Sequence, residues 1–118
     1  MARLTSDIFV SGLVRQINAA GGSAVIARKG SPEAGAIFIS HWQLTDRKYV
    51  FYEPALVMGE SVSPIGGRLF RQLEQRYAED ELAERIGREA SFDPDFWVVE
   101  IEHCPLPMEV LVTLTKDG

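Results

Sequence analysis

Ala36-Ile37-Phe38-Ile39-Ser40-His41-Trp42, a polar break at Asp46-Arg47, and then Lys48-Tyr49-Val50-Phe51-Tyr52-Glu53 form the stretch that decides how this chain folds. Both apolar runs are rich in β-branched and aromatic side chains, which suit a pleated, half-buried surface. Gly35 precedes the first and Pro54 follows the second, so both read as strands with turn residues at their ends. Successive side chains on a strand point to opposite faces. Phe38 and Trp42 therefore share one face and Ile37 and Ile39 the other. In the next strand Tyr49 and Phe51 oppose Val50 and Tyr52 in the same way. Strands that are apolar on both faces need cover on both.

Reading towards the N-terminus, residues 23–29 also alternate, with Ala24, Ile26 and Arg28 on one side and Val25, Ala27 and Lys29 on the other. The turn Gly30-Ser31-Pro32-Glu33-Ala34-Gly35 makes this strand and the next an expected antiparallel hairpin. Ahead of it, Val10, Leu13, Val14 and Ile17 recur at helical spacing. That predicts a helix over about 7–20, with Ser6 as N-cap and Gly21-Gly22 as its end.

Reading towards the C-terminus, Met58-Gly59-Glu60 and Ser63-Pro64-Ile65-Gly66-Gly67 place a loop over 55–67. Over residues 68–77, Phe70, Leu73 and Tyr77 fit helical spacing and the strand alternation is only weak, but the reading leans to a fourth strand because a separate helix starts near Asp80. In that helix, over about 80–90, Leu82 and Ile86 point inward, and Glu81–Arg85 and Glu84–Arg88 are spaced as i, i+4 ion pairs. Pro94 ends the pattern, Phe96–Glu102 reads as a strand, and Glu109–Leu114 as a last strand or a tail. The expectation is one α+β domain over 1–118: a mostly antiparallel sheet of four to six strands with two helices, in the order α-β-β-β-(β)-α-β(-β).

Composition narrows the function classes. The chain has 118 residues, 46% hydrophobic and 25% charged, which is the balance of a folded domain rather than a disordered one. Its net charge of −5 disfavours nucleic acid as a partner, since that binding rests on Lys and Arg neutralising phosphates. A single cysteine, Cys104, excludes an internal disulfide and suits a reducing cytoplasm. No leader pattern or apolar run long enough to span a membrane is present, so a soluble cytoplasmic protein without membrane contact is expected. Nothing in the sequence implies a cofactor.

Three segments carry a resemblance. Ser6-Asp7-Ile8-Phe9-Val10, Glu33-Ala34-Gly35-Ala36-Ile37-Phe38-Ile39 and Phe92-Asp93-Pro94-Asp95-Phe96-Trp97-Val98-Val99-Glu100 resemble a small bacterial family associated with alphaproteobacteria, domain of unknown function 1491. The similarity extends over about residues 3–102, and the last segment is its most specific part. It implies no activity and no catalytic residues.

The candidate chemistry is sparse. Asp93 and Asp95 bracket a proline, and Glu100 and Glu102 share a strand face. Paired carboxylates can hold a cation or move protons, but the first two also fit turns and the second two a solvated strand edge. His41, His103 and Cys104 lack the paired spacing of a zinc site, so no metal is expected and Cys104 reads as a partly buried thiol. The 30–35 turn lacks the lysine and the following helix of a phosphate-cradling loop.

Two functional readings follow. Two helices are expected to cover one sheet face, leaving the other to the loop, the tail or a second chain. That favours a self-associating interaction or regulatory protein without catalysis, a homodimer or a protein-binding module, with Phe38, Trp42, Tyr49 and Phe51 at the interface. The alternative is a small-molecule-binding protein or small enzyme whose pocket lies between the sheet and loop 55–67. His41, Asp93, Asp95 and Glu100 would be its acid–base groups, with Arg28 or Arg68 orienting an anion.

Overall fold

The two-faced strands are satisfied by a helix on each side of the sheet. The computed structural model describes residues 3–56 and 63–115. Within them run α1 (Ser6–Ala19), β1 (Ser23–Arg28), β2 (Ala36–Gln43), β3 (Lys48–Ala55), β4 (Leu69–Tyr77), α2 (Glu79–Phe92), β5 (Phe96–His103), α3 (Met108–Leu111) and β6 (Thr113–Leu114). The element order matches the expected one apart from a third, four-residue helix before the last strand; residues 69–77 are a strand, and the 109–114 segment divides into the end of that helix and a two-residue strand. Met58-Gly59-Glu60 of the expected loop lies outside the described residues.

The sheet is mixed, in the order β1-β5-β2-β3-β4-β6. β1 and β2 are not the expected hairpin. β5 lies between them, antiparallel to β1 with Ile26 opposite Val99, and parallel to β2 with Ile39 opposite Val99. Burial explains the exchange. In β5 the run Phe96–Val99 is buried on both faces, whereas β1 buries only Ala24 fully. The more apolar strand takes the interior position and the 30–35 turn bridges over its end.

On one face Ile37, Ile39, Val50, Tyr52, Phe70, Val99 and Ile101 pack beneath Phe9, Val10, Leu13 and Ile17 of α1 and Met108 and Leu111 of α3. On the other, Phe38, Phe51, Tyr77, Phe96 and Val98 pack beneath Leu82 of α2, flanked by Ile86 and Ala90. The expectation that one face waits for the loop, the tail or a second chain is thus corrected. The connection from β4 to β5 carries α2 to the side opposite α1.

Local chemistry sets the helix ends. Thr5, not Ser6, is the N-cap of α1, and Ser6 stands inside the first turn with no exposed surface. The N–H groups of Ser6 and Asp7 donate to the carbonyls of Glu33 and Pro32, at 3.1 and 2.8 Å. The 30–35 turn is therefore the cap of α1. At α2 the Glu81 carboxylate accepts from the Ala78 N–H at 2.8 Å, half of a capping box. Arg85 consequently pairs with Glu89 and Glu53 rather than with Glu81, while Glu84–Arg88 forms as expected.

Candidate functional site

Gly66-Gly67 prepares the most distinctive side chain in the molecule. Both residues lie in the left-handed region, at φ 63° and 74°, which glycine adopts without steric cost. A Cβ on Gly66 would stand 2.9 Å from the Phe9 ring, and one on Gly67 2.8 Å from the Arg3 Cα. This tight bend sets the turn against the start of α1, where the Leu4 N–H donates to the Gly66 carbonyl at 3.0 Å. It delivers Arg68 beneath the N-terminal segment, and Arg68 is 5% exposed.

Among the described residues the acceptors that hold the Arg68 guanidinium are all neutral. Nε and Nη2 donate to the Leu4 carbonyl at 3.3 and 2.9 Å, and Nη2 also donates to Ser6 Oγ at 3.1 Å. The Ser6 hydroxyl in turn donates to the Gly35 carbonyl at 2.6 Å. Among the described residues no carboxylate pairs with Arg68. Burial, and then the like charge of Arg3, lower its pKa. Both causes disfavour the charged form, and a buried charge without a counter-charge is costly.

Arg68 borders a cavity of about 510 Å³ at the end of the sheet where β3 finishes and β4 begins. Ile37, Leu69 and Phe70 form its buried floor; Pro54 with Ala55, Leu56 and Gly67, at the two ends of loop 55–67, form its sides, and Arg3 lies at its rim. The described residues lining it include no hydroxyl, thiol, imidazole or carboxylate. An apolar hollow whose described lining carries only positive charge favours an anionic guest with an apolar body.

The other expected ligand residues lie elsewhere. Arg28, Asp93 and Asp95 meet at the junction of β1 and β5. Arg28 stacks over the Phe96 ring at 4.2 Å and donates to the Pro94 carbonyl at 2.9 Å. Asp95 accepts from the Ser31 N–H at 2.6 Å and Asp93 from the Asp95 N–H at 3.0 Å. His41 lies towards the opposite end of β2, half-buried near His103; burial and then that neighbour lower its pKa. Glu100 is on the α2 face beside Tyr49, whose pKa is raised by burial and then by Glu100. These two borders belong to a groove of about 270 Å³ over Ala27, Ser40 and Val98.

Among the residues expected at an interface, Phe38 and Phe51 are 4% and 1% exposed beneath α2, while Trp42 and Tyr49 are half-buried and meet edge to face at 5.0 Å. Cys104 is half-buried and donates to the Leu106 carbonyl at 3.3 Å. Among the described residues no group of three or more His, Cys, Asp or Glu side chains could hold a metal ion. No helix among them is long and apolar enough to cross a membrane. Sequence reasoning named Arg68 but missed Arg3, Leu4 and Ser6 as its surroundings. The double glycine ahead of Arg68 was the one local signal of a tight approach.

The model of a protein family described as "Protein of unknown function (DUF1491)" matches residues 4–106. A solution structure of a protein from A. tumefaciens is 35% identical, with a TM-score of 0.76, covering 99% of this chain and 98% of that one. A crystal structure of a DUF1491 family protein from Caulobacter crescentus CB15 is 31% identical, with a TM-score of 0.69, covering 86% of this chain and 87% of that one. An NMR structure of a DUF1491 family protein from the same organism is 28% identical, with a TM-score of 0.75, covering 98% and 100%. No curated protein matches the chain.

Proposed function

This chain belongs to the DUF1491 family of proteins of unknown function, and from that premise we propose that it binds a small anionic molecule in the cavity beside Arg68. The observation that carries this reading is a buried guanidinium at a cavity wall, with a second arginine at the rim and no carboxylate paired with it among the described residues. An anion entering there supplies a counter-charge that no described residue provides. Binding rather than turnover fits a lining of aliphatic, aromatic and guanidinium groups.

Self-association has lost the ground it stood on, because α2 covers the face expected to be bare. The free edge of β1 is also guarded. Its pairing with β5 is irregular at both ends, and the Asn18 side-chain amide takes both the N–H and the carbonyl of Ala24, at 2.9 and 3.2 Å. Bulges and occupied edge groups are ways in which sheets avoid pairing with other chains.

The test is an amide-resolved NMR titration of the full chain with acetate, benzoate and inorganic phosphate at millimolar concentrations. Binding moves the resonances of Gly67, Arg68, Leu69 and Phe70 and of the Arg68 side chain. If no anion moves them, the reading fails.

A further inference from the structure

Resting on that reading, we infer that the ligand is an amphiphilic monocarboxylate, a single carboxylate on an apolar body, rather than a phosphate ester or a nucleotide. The donor geometry is the first reason. A guanidinium offers five N–H donors in a fixed fork. Here Nε and Nη2 are already bonded to the Leu4 carbonyl and Ser6 Oγ, so the two-pronged edge that grips phosphate is largely occupied. Nη1 has no hydrogen bond among the described residues and is the group left for a guest.

Phosphate recognition draws on several convergent donors, commonly the free N–H groups at a helix N-terminus or a backbone nest. The nearest helix start cannot serve. The first N–H groups of α1 are committed to the carbonyls of Glu33 and Pro32, and Ser6 Oγ gives its proton to the Gly35 carbonyl. A phosphate dianion would leave most of its oxygens unsatisfied. A carboxylate needs less: one charge and two oxygens, met by Arg68 Nη1 and, from the rim, Arg3.

The rest of the cavity fixes the other half of the ligand. Ile37, Leu69 and Phe70 beneath, with Ala55 and Leu56 beside, present hydrocarbon. Leu56 is 79% exposed at the mouth, an apolar side chain that a bound hydrocarbon chain would cover. The volume of about 510 Å³ is within the range of roughly 300–1,000 Å³ typical of small-molecule sites and far exceeds what a carboxylate alone would fill.

The experiment is calorimetry and NMR titration of the full chain with octanoate, acetate and inorganic phosphate. Octanoate should bind at least about tenfold more tightly than acetate, since apolar contact adds affinity, and more tightly than phosphate. Its shifts should centre on Ile37 and on Gly67–Phe70. Ala55→Trp, which fills the side of the cavity, should abolish the advantage of octanoate over acetate while acetate still binds. Arg3→Gln, at an exposed position, should weaken both carboxylates severalfold without unfolding the protein. Phosphate binding as tightly as octanoate, or octanoate no more tightly than acetate, would overturn the ligand class while leaving the anion site standing. Octanoate shifts centred on Ile8 and Gly12 of α1 would overturn it too. Failure of every anion to bind would remove the site itself.

Discussion

Two guanidiniums serve the same end of the sheet, Arg28 half-buried and Arg68 only 5% exposed. Arg28 lies over the Phe96 ring and reaches the Pro94 carbonyl. Around it the backbone is knitted shut: Asp95 holds the Ser31 N–H, and Trp97 Nε1 donates to the Ser31 carbonyl at 2.8 Å. Arg68 also bonds to backbone, at Leu4, and stands 5.9 Å from the centroid of the Phe9 ring, but its remaining side borders a cavity. Neither is paired with a carboxylate among the described residues. Where an aromatic face fills the free side, a guanidinium acts as glue, because the ring quadrupole attracts it. Where that side is hollow, the same group becomes a receptor.

The largest expected effect tests whether the Arg28 corner is structural. Trp97 is 5% exposed, packs in the α1-side core and fixes the 30–35 turn through Ser31. Trp97→Ala should cost about 3–5 kcal/mol of unfolding free energy, the usual range for removing a large buried aromatic side chain, read from urea denaturation. A loss below about 1 kcal/mol, as at an ordinary surface position, would show that the corner is not held as described.

The next effect sets the two arginines against each other. Arg68→Met removes the donors to the part-buried Leu4 carbonyl and to the buried Ser6 Oγ and should cost about 1–3 kcal/mol, the penalty for stranding such groups. Arg28→Met keeps a flexible chain over Phe96 and loses one exposed hydrogen bond, so it should cost about 1 kcal/mol or less. The melting temperature decides the functional half of the contrast. Octanoate should raise it for wild type and for the Arg28 variant, and not for the Arg68 variant. Equal responses from both variants would dissolve the distinction between glue and receptor.

What the sequence disclosed and what it hid follows the range of the interactions involved. Alternation along Phe38 to Trp42 and Tyr49 to Tyr52 is local, and it correctly marks strands needing cover on both faces. Which helix covers which face depends on where the chain crosses, and no local pattern in residues 80–90 reports that. The 30–35 turn misled for the same reason: Gly and Pro announce a reversal without saying whether the two strands end adjacent or with β5 between them. Arg68 was legible as a cation near a loop. Its burial was not, because the carbonyl it meets, Leu4, lies 64 positions earlier. Asp93 and Asp95 illustrate both cases. The Asp93 contact with the Asp95 N–H is the local turn bond that a proline between two short acceptors announces, whereas Asp95 reaches the Ser31 N–H 64 positions earlier, and that was hidden.

The smallest effect lies at the far end of the sheet and serves as the control for both corners. His41 is half-buried beside His103, and burial first, the neighbouring imidazole second, lower its pKa below 6.5. Between that lowered value and 6.5 the unfolded chain binds more protons than the folded one, so stability increases with pH across this window. The contribution is complete above 6.5 and is lost as the pH falls through the window. Relative to wild type, His41→Asn should therefore show a smaller fall in urea midpoint between about pH 7.5 and about pH 5.5, values that straddle the imidazole titration. His103→Gln should remove only the lesser part of that fall, because burial of His41 is the larger cause. Arg68→Met and Arg28→Met should leave the fall unchanged, since neither guanidinium contributes to the His41 shift. If either arginine variant flattened the pH response as His41→Asn does, the two ends of the sheet would be coupled, and the corners could no longer be compared as independent sites.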